Sequence, residues 1–187
     1  MVLPTITLAG DVTITGDLTT SGDYTYSSPE SRKMIISPLG FTPRTGVFFS
    51  NVGAGGVVIE SQNLPQIATG DAFYAVTGLP DGAVVTKFSC AFIDKSTTSD
   101  ANFRCKLIGH PPNFLPTQAM VLSTNTLDSS GSSSSKQFVT DTSISNSIID
   151  EDNFYWIELR FNPDGTDCSG LCQFYEVIIE YQVSKAD

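Results

Sequence analysis

The residues of this sequence with the widest chemical possibilities are its four cysteines, Cys90, Cys105, Cys168 and Cys172. An even number of cysteines is typical of extracellular proteins that are stabilised by disulfides, and we predict two disulfides on that basis. Cys168 and Cys172 are close enough in sequence to bind a soft metal, but no second pair of Cys or His accompanies them to complete a four-ligand zinc site. A small loop disulfide is therefore the favoured interpretation, ahead of free thiols and of a metal site.

Cys90 and Cys105 lie in two neighbouring segments, 84–94 and 102–108, in which successive side chains alternate in character. The residues on the apolar side are Phe88, Cys90 and Phe92 in the first segment and Phe103, Cys105 and Leu107 in the second. A symmetric turn over 95–101 would pair Cys90 with Cys105 and also Phe92 with Phe103, so the cysteines and their apolar neighbours agree on one alignment. We predict a β-hairpin with a cross-strand disulfide between Cys90 and Cys105.

Residues suited to catalysis or metal binding are scarce. His110 is the single histidine, and the two prolines that follow it indicate a loop position. One histidine supplies neither a Ser-His-Asp triad nor a multi-histidine metal site. The acidic cluster at 150–152 lacks the alternating ligands of a dedicated calcium loop, and no glycine-rich phosphate loop opens a helix. We therefore expect a non-enzymatic protein with no catalytic residue, no metal and no cofactor.

Trp156 and Glu158 are the nearest approach to a sugar-binding arrangement in the sequence. They lie on the same face of a predicted strand at 154–161, where an aromatic ring and a carboxylate stand side by side. Core packing of the only tryptophan is the alternative that the pattern favours.

The composition favours β-structure and excludes two classes of partner. Only 16% of the residues are charged, and runs such as Val-Val-Ile and Phe-Tyr-Trp-Ile are typical of strands. A net charge of -10 would repel a phosphate backbone, so we expect no nucleic-acid partner. No apolar run reaches the roughly 18 residues of a spanning helix, and the N-terminal residues lack the pattern of a signal peptide.

From residue 47 onwards the apolar segments are short and separated by Gly, Pro and Asp. Eight or nine such segments predict an all-β, jelly-roll-like β-sandwich head over 47–187, with no helix longer than a single turn near 147–153. The last segment, 174–183, is apolar on one side and mixed on the other, which is typical of a strand in the middle of a sheet. Residues 29–46, with three prolines and little periodicity, are interpreted as a connector.

A repeat of the form Gly-Asp-apolar-Thr begins at Gly10, Gly16 and Gly22, with a spacing of six. The apolar residues assigned to assembly are Ile6, Leu8, Val12, Ile14 and Leu18. An isolated copy of such a segment leaves its edges and its apolar side unpaired, so residues 1–28 are predicted to be a short repetitive β segment that needs other chains. A flexible leader is the alternative interpretation.

The Gly10–Thr19 pattern resembles the repetitive shafts of phage tail fibres and bacterial extracellular fibres. Residues 79–86 together with the closing strand at 175–181 resemble a head domain found at the ends of bacterial secreted proteins. The resemblance implies a homotrimer located outside the cell, on the cell surface or in a virion. We therefore expect a structural or adhesive fibre subunit that self-assembles through its N-terminal repeat.

Two other functions fit the same sequence. The N-terminal segment could act as a donor strand that completes the sheet of the next subunit, which would give an open filament. A monomeric carbohydrate-binding module that takes a surface glycan is the other alternative, and a hydrolase on this scaffold has the least support.

Overall fold

The computed structural model describes residues 25–43, 52–53, 56–57, 59–60, 72–95, 103–111, 120–122, 126–129, 133–161 and 172–185. The described strands, in chain order, are β1 (Thr25–Ile36), β2 (Thr42–Pro43), β3 (Val52–Gly53), β4 (Gly56–Val57), β5 (Ile59–Glu60), β6 (Ala72–Val76), β7 (Val84–Asp94), β8 (Phe103–His110), β9 (Met120–Val121), β10 (Leu127–Asp128), β11 (Gln137–Asp141), β12 (Phe154–Phe161) and β13 (Cys172–Lys185). They form two large antiparallel sheets with a core between them, which confirms the predicted all-β sandwich.

Sheet A has the strand order β1-β13-β7-β11, with β5 paired to one end of β13. The central position of β13 agrees with the prediction for the C-terminal segment. A bulge between Phe174 and Glu176 changes the faces at the start of this strand. It directs Phe174 into the core with Val177, and it leaves Tyr175 half-buried outside the core, although simple alternation predicts the reverse.

Sheet B has the strand order β10-β8-β12-β6-β2, with β9 paired to β8. Strand β12 lies between β8 and β6, and its register with β8 is unbroken from Phe154 opposite His110 to Phe161 opposite Phe103. The two short strands β3 and β4 pair with each other as a separate ribbon.

Aromatic side chains from both sheets fill the core. Phe92 of sheet A stacks on Phe103 of sheet B with 5.3 Å between ring centroids, and Phe103 meets Phe161 edge to face at 4.7 Å. All three are fully buried. Burial of each such ring contributes about 1.5–3 kcal/mol, so this cluster is a main source of cohesion between the sheets.

The predicted hairpin of β7 and β8 is wrong. Strand β7 pairs with β13 and β11 in sheet A, whereas β8 pairs with β12, β10 and β9 in sheet B. The apolar sides of the two strands nevertheless face each other, because they meet across the core, and Phe92 does contact Phe103. Alternation identifies the apolar face of each strand, but it does not say whether its neighbour lies beside it or opposite it.

The segment interpreted as a connector at 29–46 contributes strands to the sandwich. Strand β1 pairs with β13 from Ile36 opposite Val177 to Glu30 opposite Val183. The three prolines occupy positions that do not need a backbone N–H: Pro29 lies in the irregular stretch of β1, Pro38 opens a 3-10 turn over Pro38–Gly40, and Pro43 lies in the outermost strand β2.

The remaining predictions concern a possible helical turn, the assembly residues and a membrane-spanning helix. The stretch 147–153 contains an isolated β-bridge between Ile148 and Val84 and a turn at 151–152, without a helix. The assembly residues Ile6, Leu8, Val12, Ile14 and Leu18, and also Cys168, lie outside the described residues. In the described ranges, no helix has the length and apolar character needed to cross a membrane.

Candidate functional site

The outer face of sheet B carries an unusual set of side chains. Along β12 the core-facing residues Tyr155, Ile157, Leu159 and Phe161 alternate with the outward residues Phe154, Trp156, Glu158 and Arg160. β12 has a partner strand on each side, so each of its outward residues lies in a row with the residues opposite it on the neighbouring strands. The rows are His110 with Phe154; Ile108, Trp156 and Val76; Lys106, Glu158 and Tyr74; and Arg104, Arg160 and Ala72.

The first two rows are aromatic and apolar. The ring of His110 stacks on that of Trp156, with 5.9 Å between centroids and an interplanar angle of 23°. Phe154 is 59% exposed and Val76 is 83% exposed, so the ring pair is flanked by uncovered apolar surface. His110 itself is buried, and its Nδ1 lies 2.9 Å from the carbonyl oxygen of Pro111, which holds the imidazole in one orientation.

The residues of the other two rows, which contain Lys106 with Glu158 and Arg104 with Arg160, take part in two bidentate ion pairs. Arg160 donates to both oxygens of Glu158, at 2.7 Å from Nε and 3.1 Å from Nη2. Arg104 donates in the same way to Asp128 on β10, at 2.8 Å from each nitrogen. Bidentate pairs of this kind hold both partners in a fixed plane. The polar half of the face is therefore preorganised.

Lys106 lies between these two pairs. It is half-buried on β8, directly opposite Glu158 on β12. Both oxygens of Glu158 are occupied by Arg160, and Lys106 makes no ion pair or side-chain hydrogen bond within the part of the chain that the structure describes. Its ammonium group is thus the one cation of the described rows without a carboxylate partner.

This face can bind the kind of ligand that has both an apolar side and many hydroxyls. Aromatic rings provide large contact area at small entropic cost, and fixed guanidinium and carboxylate groups provide donors and acceptors. No group of three His, Cys, Asp or Glu residues within the described ranges is placed to hold a metal ion. The arrangement therefore favours recognition of a polar ligand with flat apolar faces.

The structure changes the interpretation of two residues from the sequence. Trp156, for which core packing is the favoured prediction, is half-buried on the outer face of sheet B, although its shared face with Glu158 is confirmed. His110, predicted in a loop, is the last residue of β8. Sequence reasoning missed the contributions of Tyr74 and Lys106, because their proximity to Trp156 depends on which strands pair.

The outer face of sheet A provides a comparison. Phe138 on β11 is 54% exposed, and the ammonium of Lys136 lies 5.0 Å from its centroid and 5.2 Å from that of Tyr175. Lys136 also pairs with Glu176 on β13. The cation of this aromatic group is therefore paired with a carboxylate and lies over both rings, whereas Lys106 of sheet B has no ion pair among the described residues.

Cys90 and Cys105 occupy the interior, away from both faces. Both are fully buried free thiols on the core-facing sides of β7 and β8. Burial raises the pKa of the Cys90 thiol well above its usual value, and a side-chain hydrogen bond with Cys105 adds to the effect. Strand β13 begins at Cys172, while Cys168 lies outside the described residues, so the predicted pairing of those two stays a prediction.

No protein-family model and no curated protein matches the chain. Among solved structures it is similar to the xylan-binding module CBM15, with 9% sequence identity and a TM-score of 0.43 over 83% of this chain and 100% of that one. It is also similar to an endo-1,4-beta-D-xylanase of Clostridium thermocellum with CBM22-1 and GH10 modules (13%, TM-score 0.39), covering 88% of this chain and 28% of that one. A structure of infectious bursal disease virus, Gx strain, is similar at 14% identity and a TM-score of 0.34, covering 94% of this chain and 38% of that one. These likenesses concern the β-sandwich fold alone.

Proposed function

We propose that the chain is a non-catalytic carbohydrate-binding module that takes a glycan on the outer face of sheet B. The observation that carries this proposal is the position of Trp156, which stacks on His110 and lies among exposed apolar groups on a sheet surface. The C–H faces of sugar rings pack on aromatic surfaces, and uncovered apolar patches with a polar rim are typical of ligand-binding surfaces. The polar rim here consists of the Glu158–Arg160 and Arg104–Asp128 pairs.

The same geometry argues against glycoside hydrolysis on this face. A hydrolase needs two carboxyl groups that flank the scissile bond, one of which donates a proton. Glu158 and Asp128 are instead each engaged by a guanidinium group that donates to both of their oxygens. They act as fixed acceptors and anchors for the neighbouring arginines.

The test is affinity electrophoresis and calorimetry of the wild type, Trp156→Ala and Phe138→Ala against a panel of soluble plant and bacterial polysaccharides. Loss of one aromatic platform costs about 1.4 kcal/mol, or tenfold in Kd, so Trp156→Ala is expected to weaken binding about tenfold. Phe138→Ala is the control, because it removes an exposed aromatic ring from the outer face of the other sheet. Equal affinity of the wild type and Trp156→Ala for every ligand that binds would contradict the assignment of this face.

We also propose a fibre role as a second candidate function, because β1 has a neighbour on only one side within the described sheet and directly follows the N-terminal repeat. An edge strand in this position offers unpaired backbone groups to another chain, either in a homotrimer or in a donor-strand filament. Such a role would place the glycan-binding head outside the cell, on the cell surface or on a virion.

Sedimentation of the full chain and of a truncation lacking residues 1–24 separates these arrangements. A closed trimer, an open polymer series and a 20.1 kDa monomer give distinct sizes for the full chain. If the repeat drives assembly, the truncated head becomes monomeric and keeps its circular dichroism spectrum. An oligomer of unchanged size after truncation would remove the assembly role of Ile6, Leu8, Val12, Ile14 and Leu18.

A further inference from the structure

We infer that the outer face of sheet B selects saccharides that carry a negatively charged substituent, and that the ammonium of Lys106 is the group that recognises it. This inference rests on the proposed glycan-binding function and specifies its ligand class. The shared chemistry is an anionic group, a carboxylate or a sulfate, on a pyranose ring.

Local charge favours an anionic ligand. Among the described rows the cations are Arg104, Lys106 and Arg160, and ion pairs join Arg104 to Asp128 and Arg160 to Glu158. Each carboxylate already accepts from a guanidinium through both oxygens. Within the described residues Lys106 is therefore the cation of these rows that has no ion pair, in a protein whose formal net charge is -10.

The burial of Lys106 also favours an anionic ligand. Lys106 is half-buried, and it lies between Arg104 and Ile108 in the series of outward residues of β8. A lysine in such a position covers apolar surface with its stem and keeps its ammonium in contact with water, where a ligand anion can reach it. Among the described residues no carboxylate forms an ion pair with this ammonium, and Glu158, directly opposite, is paired with Arg160. A ligand anion at this point would complete the site.

Lys106 also lies close to the aromatic residue Trp156. Lys106 is opposite Glu158, and Trp156 is two residues from Glu158 on the same strand face. Diagonal neighbours of this kind in a β-sheet are about 7–8 Å apart at Cα. A sugar ring stacked on Trp156 therefore extends its exocyclic group toward Lys106, where a C6 carboxylate or a sulfate ester can accept from the ammonium.

The acidic character of the whole protein does not oppose this selection at physiological salt. The Debye length there is about 8 Å, so repulsion between distant carboxylates and a polyanion is largely screened. A half-buried pair in direct contact is screened much less. The selection is therefore expected to persist at 0.15 M ionic strength, which is about the physiological value.

The experiment compares polymers that differ only in charge. Polygalacturonate is paired with its methyl ester, and dextran sulfate is paired with dextran, each titrated into the wild type, Lys106→Gln, Lys106→Arg and Trp156→Ala. Lys87→Gln is the matched control, because Lys87 lies on sheet A and is paired with Glu180. Thermal melts of all variants verify that they are folded.

We expect the wild type to bind one charged polymer about fivefold more tightly than its neutral partner, the upper range for an exposed ion pair. Lys106→Gln should erase that difference, Lys106→Arg should retain it, and Lys87→Gln should match the wild type. A preference for polygalacturonate assigns a carboxylate, and a preference for dextran sulfate assigns a sulfate; both support the inference.

Two results overturn the inference, and they are distinguishable from failure of the proposed function. If the wild type binds the charged and the neutral polymer of a pair equally, and Trp156→Ala binds neither, charge selection is refuted. The proposed glycan-binding function stands in that case. A charge preference that Lys106→Gln leaves intact refutes the role of Lys106. Absence of binding to these four polymers and to the polysaccharide panel above refutes the proposed function itself.

Discussion

Oxidation of the core cysteines provides the most direct test of how the two sheets are held together. We predict that Cys90 and Cys105 form a disulfide in an oxidising environment, now as a bond between the sheets and not between paired strands. Both thiols are buried on strands that face each other across the core, and Cα atoms of β7 and β8 approach within 8 Å. Disulfides join residues whose Cα atoms are usually 4.4–6.8 Å apart, so the bond requires the Cα atoms of Cys90 and Cys105 to come within that range.

The magnitude follows from the loop that the bond closes. From Cys90 to Cys105 the chain advances by 105 − 90 = 15 residues. Loop-closure entropy for a loop of this size gives about 3 kcal/mol of stabilisation at 25 °C. For a protein of this length, 1 kcal/mol raises Tm by roughly 2–4 °C, so oxidation is expected to raise Tm by about 6–12 °C.

The assay uses a Cys168→Ser/Cys172→Ser background, so that only the core pair remains. The protein is incubated with oxidised glutathione, unfolded in guanidinium chloride without reductant, alkylated and weighed as the intact chain. We expect no label at Cys90 or Cys105 and a Tm that falls on addition of reductant. A further Cys90→Ala/Cys105→Ala variant is the control, and its Tm should not respond to reductant. Labelling of both thiols after oxidation would refute the bond, and an unchanged Tm despite the bond would refute the entropic estimate.

Two other predictions concern the interior. Because burial raises the pKa of Cys90 in the folded state, the stability that this thiol contributes is fully present below about pH 8.5 and is lost as pH rises above that value, by up to about 1.4 kcal/mol per pH unit. Urea unfolding of the reduced protein at pH 8 and pH 10 should show a larger loss than the same comparison for Cys90→Ala; an equal loss would contradict the assignment. Ser129→Ala removes a buried hydroxyl that donates to Asp94 Oδ2 at 2.5 Å and accepts from the Phe103 N–H at 3.1 Å, so we expect a loss of about 2–3 kcal/mol. Ser135→Ala, at an exposed position, should stay within about 0.5 kcal/mol of the wild type in the same unfolding experiment, and similar values for the two variants would argue against the network.

The sequence by itself determined most of the strands and, for β7 and β12, which residues share a side. The bounds of β6 and β12 agree with the alternating segments 72–76 and 154–161, because a half-buried strand imposes a period of two on its side chains. The same period places Trp156 and Glu158 on one face without any knowledge of the fold. It also marks Phe88, Cys90 and Phe92 as one apolar side of β7, which the core confirms.

Only the tertiary structure decided which face of β12 points outward and which strands are neighbours. Both faces of this strand carry aromatic residues, so alternation alone cannot separate Trp156 from the core-facing Tyr155. The pairing of β7 and β8 with different sheets, and the approach of Tyr74, Lys106 and His110 to the Trp156 face, depend on contacts between strands far apart in sequence. The arrangement of such contacts depends on the free energy of burying the apolar surface of all strands together. No single segment of the sequence determines that free energy.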